Sequence, residues 1–254
     1  MKPEAALNNW QAWSCPLRSR PVIVTELAGG RTNRSYLLEA GGARLVMRLN
    51  TPGDALPGVD RAREIRIWQA ASQAGLAPAV LHSDEQAGML VTEYIEGTAP
   101  DLSDVNSALI DRLVDLLSSV HALDIEVTAI DYAAHIEEFW RIIETRQPQR
   151  NEIWQQRAAV QALVTEFTAA TSEVGLCHHD PTRSNFVGRN NQLYLLDWEY
   201  AAHGPVVMDF AALSIEWGID NAEMIRRVAL DPALLDTAKT IYRYICELWT
   251  AVRN

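Results

Sequence analysis

A chain of 254 residues, 48% hydrophobic and 22% charged, has the composition of a globular protein with room for one large domain or two small ones. Its formal net charge of −11 comes without a basic stripe, which argues against nucleic acid or an anionic membrane surface as a partner. Apolar runs fall far short of the ~20 residues that span a bilayer. The N-terminal MKPEAALNNWQAWSC has no apolar signal core, and three scattered cysteines (Cys15, Cys177, Cys246) suit neither a disulfide framework nor zinc, so a reducing cytoplasm is expected.

The pattern predicts a short helix over 4–14, carrying Trp10 and Trp13. Three strand-like runs follow at 22–27, 35–39 and 44–49, separated by Gly29-Gly30 and Gly41-Gly42, which reads as an antiparallel meander. The turn at 28–33 (AGGRTN) combines two glycines with the donors Thr32 and Asn33. Glycines between strands are usually only a turn, although they can also let backbone amides approach an anion. Over 60–74 the spacing of Ile65, Trp68, Ala71 and Ala74 predicts a helix. Its Glu64 is the best partner for Arg48 on the third run, although Arg63 and Arg66 beside it compete. Gly75 and Pro78 close that helix, and 80–81 and 89–95 supply two more strands. A domain boundary is expected near Gly97, giving 1–97 and 98–254.

Beyond it the chain is mostly helical. Leu109, Leu113, Leu116, Leu117 and Val120 recur at threes and fours, predicting a helix over 105–123, and further helices are expected at 133–146 and 151–172. The stretch LCHHDPTRSNFVGRNNQLYLLDWEY (176–200) then reads as loop, strand, turn, strand, loop. A hairpin brings its outer ends together, so Asp180, Asn185 and Asp197 should converge into an all-oxygen site suited to Mg²⁺. Residues 201–205 read as a polar loop. A helix opening near Met208-Asp209 carries Glu216-Trp217, and the last helix, 232–252, carries Tyr242, Tyr244, Glu247 and Trp249.

His178-x-Asp180-x-x-x-x-Asn185, followed by Asp197 across a hairpin, matches the kinase catalytic loop and its metal-binding aspartate. The next residues are Trp198-Glu199-Tyr200 and not Phe-Gly, so the chain resembles the aminoglycoside phosphotransferase / choline kinase family, most like its bacterial choline kinase and thiamine kinase branches. The resemblance implies an α+β, protein-kinase-like two-lobe fold: a five-stranded antiparallel N-lobe with one helix and a mainly helical C-lobe.

It also implies ATP and Mg²⁺ as cofactors. Asp180 would be the base, with Asn185 and Asp197 as metal ligands. Gly29, Gly30, Thr32, Asn33 and Arg48 would lie at the phosphates, Arg48 paired with Glu64, and Glu93 and Ile95 at the adenine hinge. His178 would brace the loop. Asp209 would brace it too, or simply cap its own helix. Arg183 could neutralise transferred phosphate or be a plain surface charge. The short 201–205 loop leaves no room for a peptide-docking platform, so a small hydroxylated substrate is expected. An acidic chain favours a cationic one.

Glu216, Trp217, Tyr242 and Trp249 could bind it through carboxylate and ring faces, or could merely pack helices. Choline or a related amino alcohol ranks first, thiamine second, and sugars or aminoglycosides third. The competing class is a nucleotide-binding pseudokinase without catalysis. Nothing in the sequence assigns an oligomeric state.

Overall fold

The computed structural model describes residues 2–27, 33–51, 56–146 and 152–253. It divides into two units: Met1–Leu56 with Asp60–Pro100 and Ser184–Glu199, and Pro57–Val59 with Asp101–Arg183 and Tyr200–Asn254. Gly29, Gly30 and Thr32 of the expected anion-binding turn lie outside the described residues.

The first unit is built on a five-stranded antiparallel sheet of β1 (Val22–Leu27), β2 (Asn33–Ala40), β3 (Ala43–Asn50), β4 (Val80–Asp84) and β5 (Met89–Glu93), in the order β1-β2-β3-β5-β4. Tyr36, Leu38, Leu45, Met47 and Val91 bury one sheet face against Ala6, Leu7 and Trp13 near the N-terminus. That N-terminal segment is not the single helix expected. A short helix α1 (Pro3–Ala6) passes into a 3₁₀ turn over Leu7–Ala12, with Asn9 at φ −109°, ψ 25°. The helix α2 (Arg61–Gln73) starts at Asp60, whose carboxylate accepts the Arg63 N–H. Its buried face is Glu64, Ile67, Trp68 and Ala71, one step round from the expected stripe. Apolar periodicity could not count Glu64, which is buried because an arginine meets it.

The hairpin of strands Phe186–Arg189 and Gln192–Leu195 belongs to this unit. Its turn residues Asn190 and Asn191 adopt φ 52° and 66°, the left-handed pair a tight hairpin needs. The Leu195 N–H donates to the Leu76 carbonyl at 2.8 Å, and the Gly188 N–H to the Thr98 carbonyl at 2.9 Å. Gly97 is required there, because a Cβ would fall on the Gly188 carbonyl oxygen. A single division at Gly97 would assign the hairpin to the helical part, yet its hydrogen bonds tie it to the sheet.

The second unit holds α3 (Ser107–His121), α4 (Tyr132–Arg146), α5 (Glu152–Ala170), α6 (Val207–Trp217), α7 (Asn221–Val228) and α8 (Pro232–Arg253) among the described residues. Leu113, Phe139, Trp140, Leu213 and Leu248 are among its fully buried residues. Three elements differ from expectation, the strands Val174–Cys177 and Ala202–Pro205 and the helix α7. Ala202–Pro205 is a strand paired antiparallel with Val174–Cys177, and α7 was not anticipated. The strand Ala-His-Gly-Pro has no β-branched residue, and its register, Val174 opposite Pro205, is set by a distant partner. Among the described residues no helix is long and apolar enough to cross a membrane.

Candidate active site

In the first unit a cavity of about 280 Å³ opens between the sheet and the hairpin. Val46, Leu90, Ile95 and Val187 give it apolar walls, and Asn33, Arg48, Asn185 and Asp197 give it a polar end. The structure therefore brings together the expected Asn33, Arg48, Glu93, Ile95, Asn185 and Asp197 around one space.

Arg48 projects from β3 and is 7% exposed. Its guanidinium forks across Glu64 of α2, donating Nη1 to Oε1 at 2.5 Å and Nη2 to Oε2 at 2.8 Å. Nη1 also reaches Asp197 Oδ1 at 3.2 Å. Burial alone would raise the Glu64 pKa, but Arg48 and Arg61 outweigh it and hold the carboxyl below its ordinary value. Asp197 is the opposite case. Burial and the neighbouring Glu199 push its carboxyl up to about 7 against the pull of Arg48. Asp197 also sits at φ 61°, a left-handed conformation that a side-chain-bearing residue keeps only when its surroundings hold it. The Leu196 N–H donates to the Asn185 carbonyl at 2.7 Å, closing the hairpin ends on each other. Next to Asp197, the buried Trp198 anchors its indole on the Leu195 carbonyl.

Sequence reading missed Arg61 and left Glu199 unassigned. Arg61 Nη1 donates to Glu64 Oε2 at 2.8 Å and Glu199 Oε2 at 2.9 Å, while Nη2 donates to Asn33 Oδ1 at 3.2 Å. Asn33 Nδ2 in turn donates to Glu199 Oε2 at 3.1 Å. The available signal was the i,i+3 spacing of Arg61 and Glu64 on the first turn of α2. Glu93 has its side chain engaged by Arg189 at 3.4 Å, so only its backbone is left to serve as a hinge.

In the second unit the strand Val174–Cys177 runs into His178-His179-Asp180. The N–H groups of His178 and His179 donate to the two oxygens of Asp209 at 2.8 and 2.7 Å. His121 Nε2 lies 3.0 Å from Asp209 Oδ2. Burial would raise the Asp209 pKa, yet the His121 hydrogen bond and the nearby histidines hold it at about 2. Of its two expected roles Asp209 takes the bracing one. Behind it, His178 Nδ1 accepts the Asp180 N–H at 3.3 Å, and His179 stands at φ 67°. The expected base thus follows a loop held in an unusual backbone conformation.

Around Asp180, Glu216 Oε1 accepts the Tyr242 hydroxyl at 3.1 Å. Burial first, then Cys246, Glu216 and Asp180, push the Tyr242 hydroxyl far up. Burial likewise takes the Cys246 thiol to about 11, with Asp180 among the contributors. Trp217 requires a correction: it is 1% exposed, its indole N–H donates to the Pro181 carbonyl at 3.2 Å, and no ring face is open to a substrate. Trp249 donates its indole N–H to the Tyr200 hydroxyl at 3.0 Å, and the Arg253 guanidinium lies 4.8 Å from its ring centroid. Arg183 is exposed.

Among solved structures, the choline kinase LicA from Streptococcus pneumoniae superposes with a TM-score of 0.78 at 23% identity, over 91% of this chain and 86% of that one. LicA in complex with AMP gives 0.80 at 22% identity, over 98% and 89%. The architecture is therefore the protein-kinase-like α+β fold, as expected. Residues 23–244 match the model of the phosphotransferase enzyme family, and the chain belongs to that family. It is also 29% identical over 203 residues to the thiamine kinase of Salmonella typhimurium, covering 78% of this chain and 67% of that protein.

Proposed function

We propose that the protein is an ATP-dependent kinase that transfers the terminal phosphoryl group to the hydroxyl of a small cationic molecule. Choline or a similar amino alcohol is the first reading, and thiamine the second, favoured by the identity to thiamine kinase. The observation that carries the proposal is the Arg48 fork on Glu64 with its third contact to Asp197, at the polar end of a cavity with apolar walls. Such a cavity suits a flat base with a charged tail. A neighbour whose structure holds AMP supports an adenine nucleotide.

In this reading 1–97 binds the nucleotide, with Gly29, Gly30, Thr32 and Asn33 at the phosphates and backbone groups of Glu93 and Ile95 at the base. Residues 98–254 carry the catalytic loop and the acceptor site, and the hairpin within that range, whose hydrogen bonds tie it to the sheet, carries the metal ligands Asn185 and Asp197. An amide oxygen from Asn185 and a carboxylate from Asp197 are the hard oxygen donors Mg²⁺ takes. Bound with the nucleotide, Mg²⁺ would neutralise charge across its phosphates.

Arg48 orients phosphate oxygens and is itself fixed by Glu64. Asp180 orients the acceptor hydroxyl and takes its proton as the new O–P bond forms. The bond from the terminal phosphorus to its bridging oxygen breaks, and the nucleoside diphosphate leaves. Glu216, with Asp180, offers the negative charge that a cationic acceptor needs, and Tyr242 fixes Glu216. Trp249 remains a candidate ring through the face away from Arg253. The same reading places the enzyme in the cytoplasm, where ATP is abundant.

The test is a panel of choline, ethanolamine, thiamine, a neutral sugar and an aminoglycoside, each with ATP and Mg²⁺, analysed by mass spectrometry for a phosphorylated product. The expected result is one phosphorylated hydroxylated cation. ATP binding without a product from any acceptor would favour the pseudokinase class instead.

A further inference from the structure

Helix α6 holds the His178–Pro181 loop at two points. Asp209, in its first turn, accepts the two N–H groups that precede Asp180. Trp217, its last residue, donates its indole N–H to the carbonyl of Pro181, which follows Asp180. Pro181 and Trp217 are both buried, so water cannot replace the indole as donor. Gly218 ends the helix in the left-handed conformation at φ 65°. The loop needs an outside hold, since His179 keeps a left-handed φ of 67° and proline brings no N–H of its own.

We propose that Trp217 is a positioning residue for Asp180, acting through the Pro181 carbonyl, and not an aromatic contact for the acceptor. The inference rests on the kinase reading of Asp180 given above. It follows from the pairing of grips: two amides fixed before the aspartate and one carbonyl fixed after it leave its Cα little freedom. A base must be held within a fraction of an ångström to take a proton, so loosening one grip lowers turnover more than binding.

The decisive variant is Trp217→Phe, which keeps most of the apolar volume and deletes the N–H. Its kcat should fall about tenfold, the size expected for a lost buried hydrogen bond, with both KM values within about twofold of wild type. Amide exchange at His178, His179 and Asp180 should quicken by a similar factor. Trp140→Phe removes a comparable ring from the core of the same unit and should do neither. Should Trp217→Phe fail to fold, 3-benzothienylalanine at position 217 keeps the bicyclic shape without the N–H and carries the same expectation.

Unchanged kcat with unchanged exchange overturns the proposal. So does faster exchange with unchanged kcat, or an equal response in Trp140→Phe. If the wild-type protein phosphorylates no acceptor, the kinase reading fails by itself, and amide exchange alone decides whether Trp217 positions the loop.

Discussion

Arg48 and Glu64 meet in a two-point fork of 2.5 and 2.8 Å with both side chains buried, and this pair fixes the guanidinium that also touches Asp197. Glu64→Ala would strand a buried guanidinium, and removing one partner of such a pair costs about 3 kcal/mol or more. Urea unfolding should register that loss, together with weaker ATP binding. Stability within about 1 kcal/mol of wild type would mean that Asp197 and water stand in for Glu64.

Asp180→Asn is nearly isosteric and removes the proposed proton acceptor. Turnover should drop about 10²-fold or more, the usual contribution of a general base, while the KM for ATP holds. Steady-state kinetics decide the matter, since near-normal turnover takes Asp180 out of that role.

Asp197 carries a pH signature. Burial and Glu199 push its carboxyl up to about 7, so below that pH the metal-free protein holds it protonated. An unfolded aspartate releases its proton near ~3.9, so this group's contribution to stability falls as pH rises from about 4 to about 7. Mg²⁺ needs the anion, and its affinity should weaken about tenfold for each pH unit below 7. Mg²⁺ titrations near about pH 6 and about pH 8 test this, and Asp197→Asn should flatten the dependence.

Asp209 works in the opposite direction. With its carboxyl held at about 2, its contribution is present above the unfolded value and disappears as pH falls from about 4 to about 2. Asp209→Ala leaves the His178 and His179 N–H groups without their acceptor, at a cost of about 3 kcal/mol near neutrality. The gap between wild type and variant should close on acidification, and a constant gap would assign the loss to packing alone.

Glu216→Gln preserves an acceptor for the Tyr242 hydroxyl and removes only the charge. The KM for a cationic acceptor should rise about tenfold, the scale of one partly desolvated charge contact. Neither the KM for ATP nor that for a neutral sugar should move. Equal effects on charged and neutral acceptors would remove Glu216 from cation recognition.

Much of this protein was legible because the informative patterns are local. The hairpin could be read from Phe186, Gly188, the paired Asn190-Asn191 and the 193–196 run, and the ends of a hairpin have little choice about where they meet. The Arg48–Glu64 pairing spans sixteen residues and follows from a strand feeding a helix. The meander needed only its glycine punctuation. Less could be read wherever burial and polarity coincide. Glu64 is fully buried, so α2 turns a face inward that an apolar tally rotates away. Helix α6 is buried almost throughout from Val207 to Ser214, so its sequence does not reveal which side Trp217 takes.

By itself, then, the sequence determined the local frame: His178, Asp180, Asn185 and Asp197 occur at offsets that backbone geometry converts directly into a loop and a hairpin. Tertiary structure alone decided the partners. Arg61 meets Glu199 across 138 residues of chain, Trp217 meets Pro181 across 36, and Val174 finds Pro205 as its strand neighbour. Contacts at such separations leave no period in the sequence, because they are chosen by packing among elements and not by the local conformation of either segment.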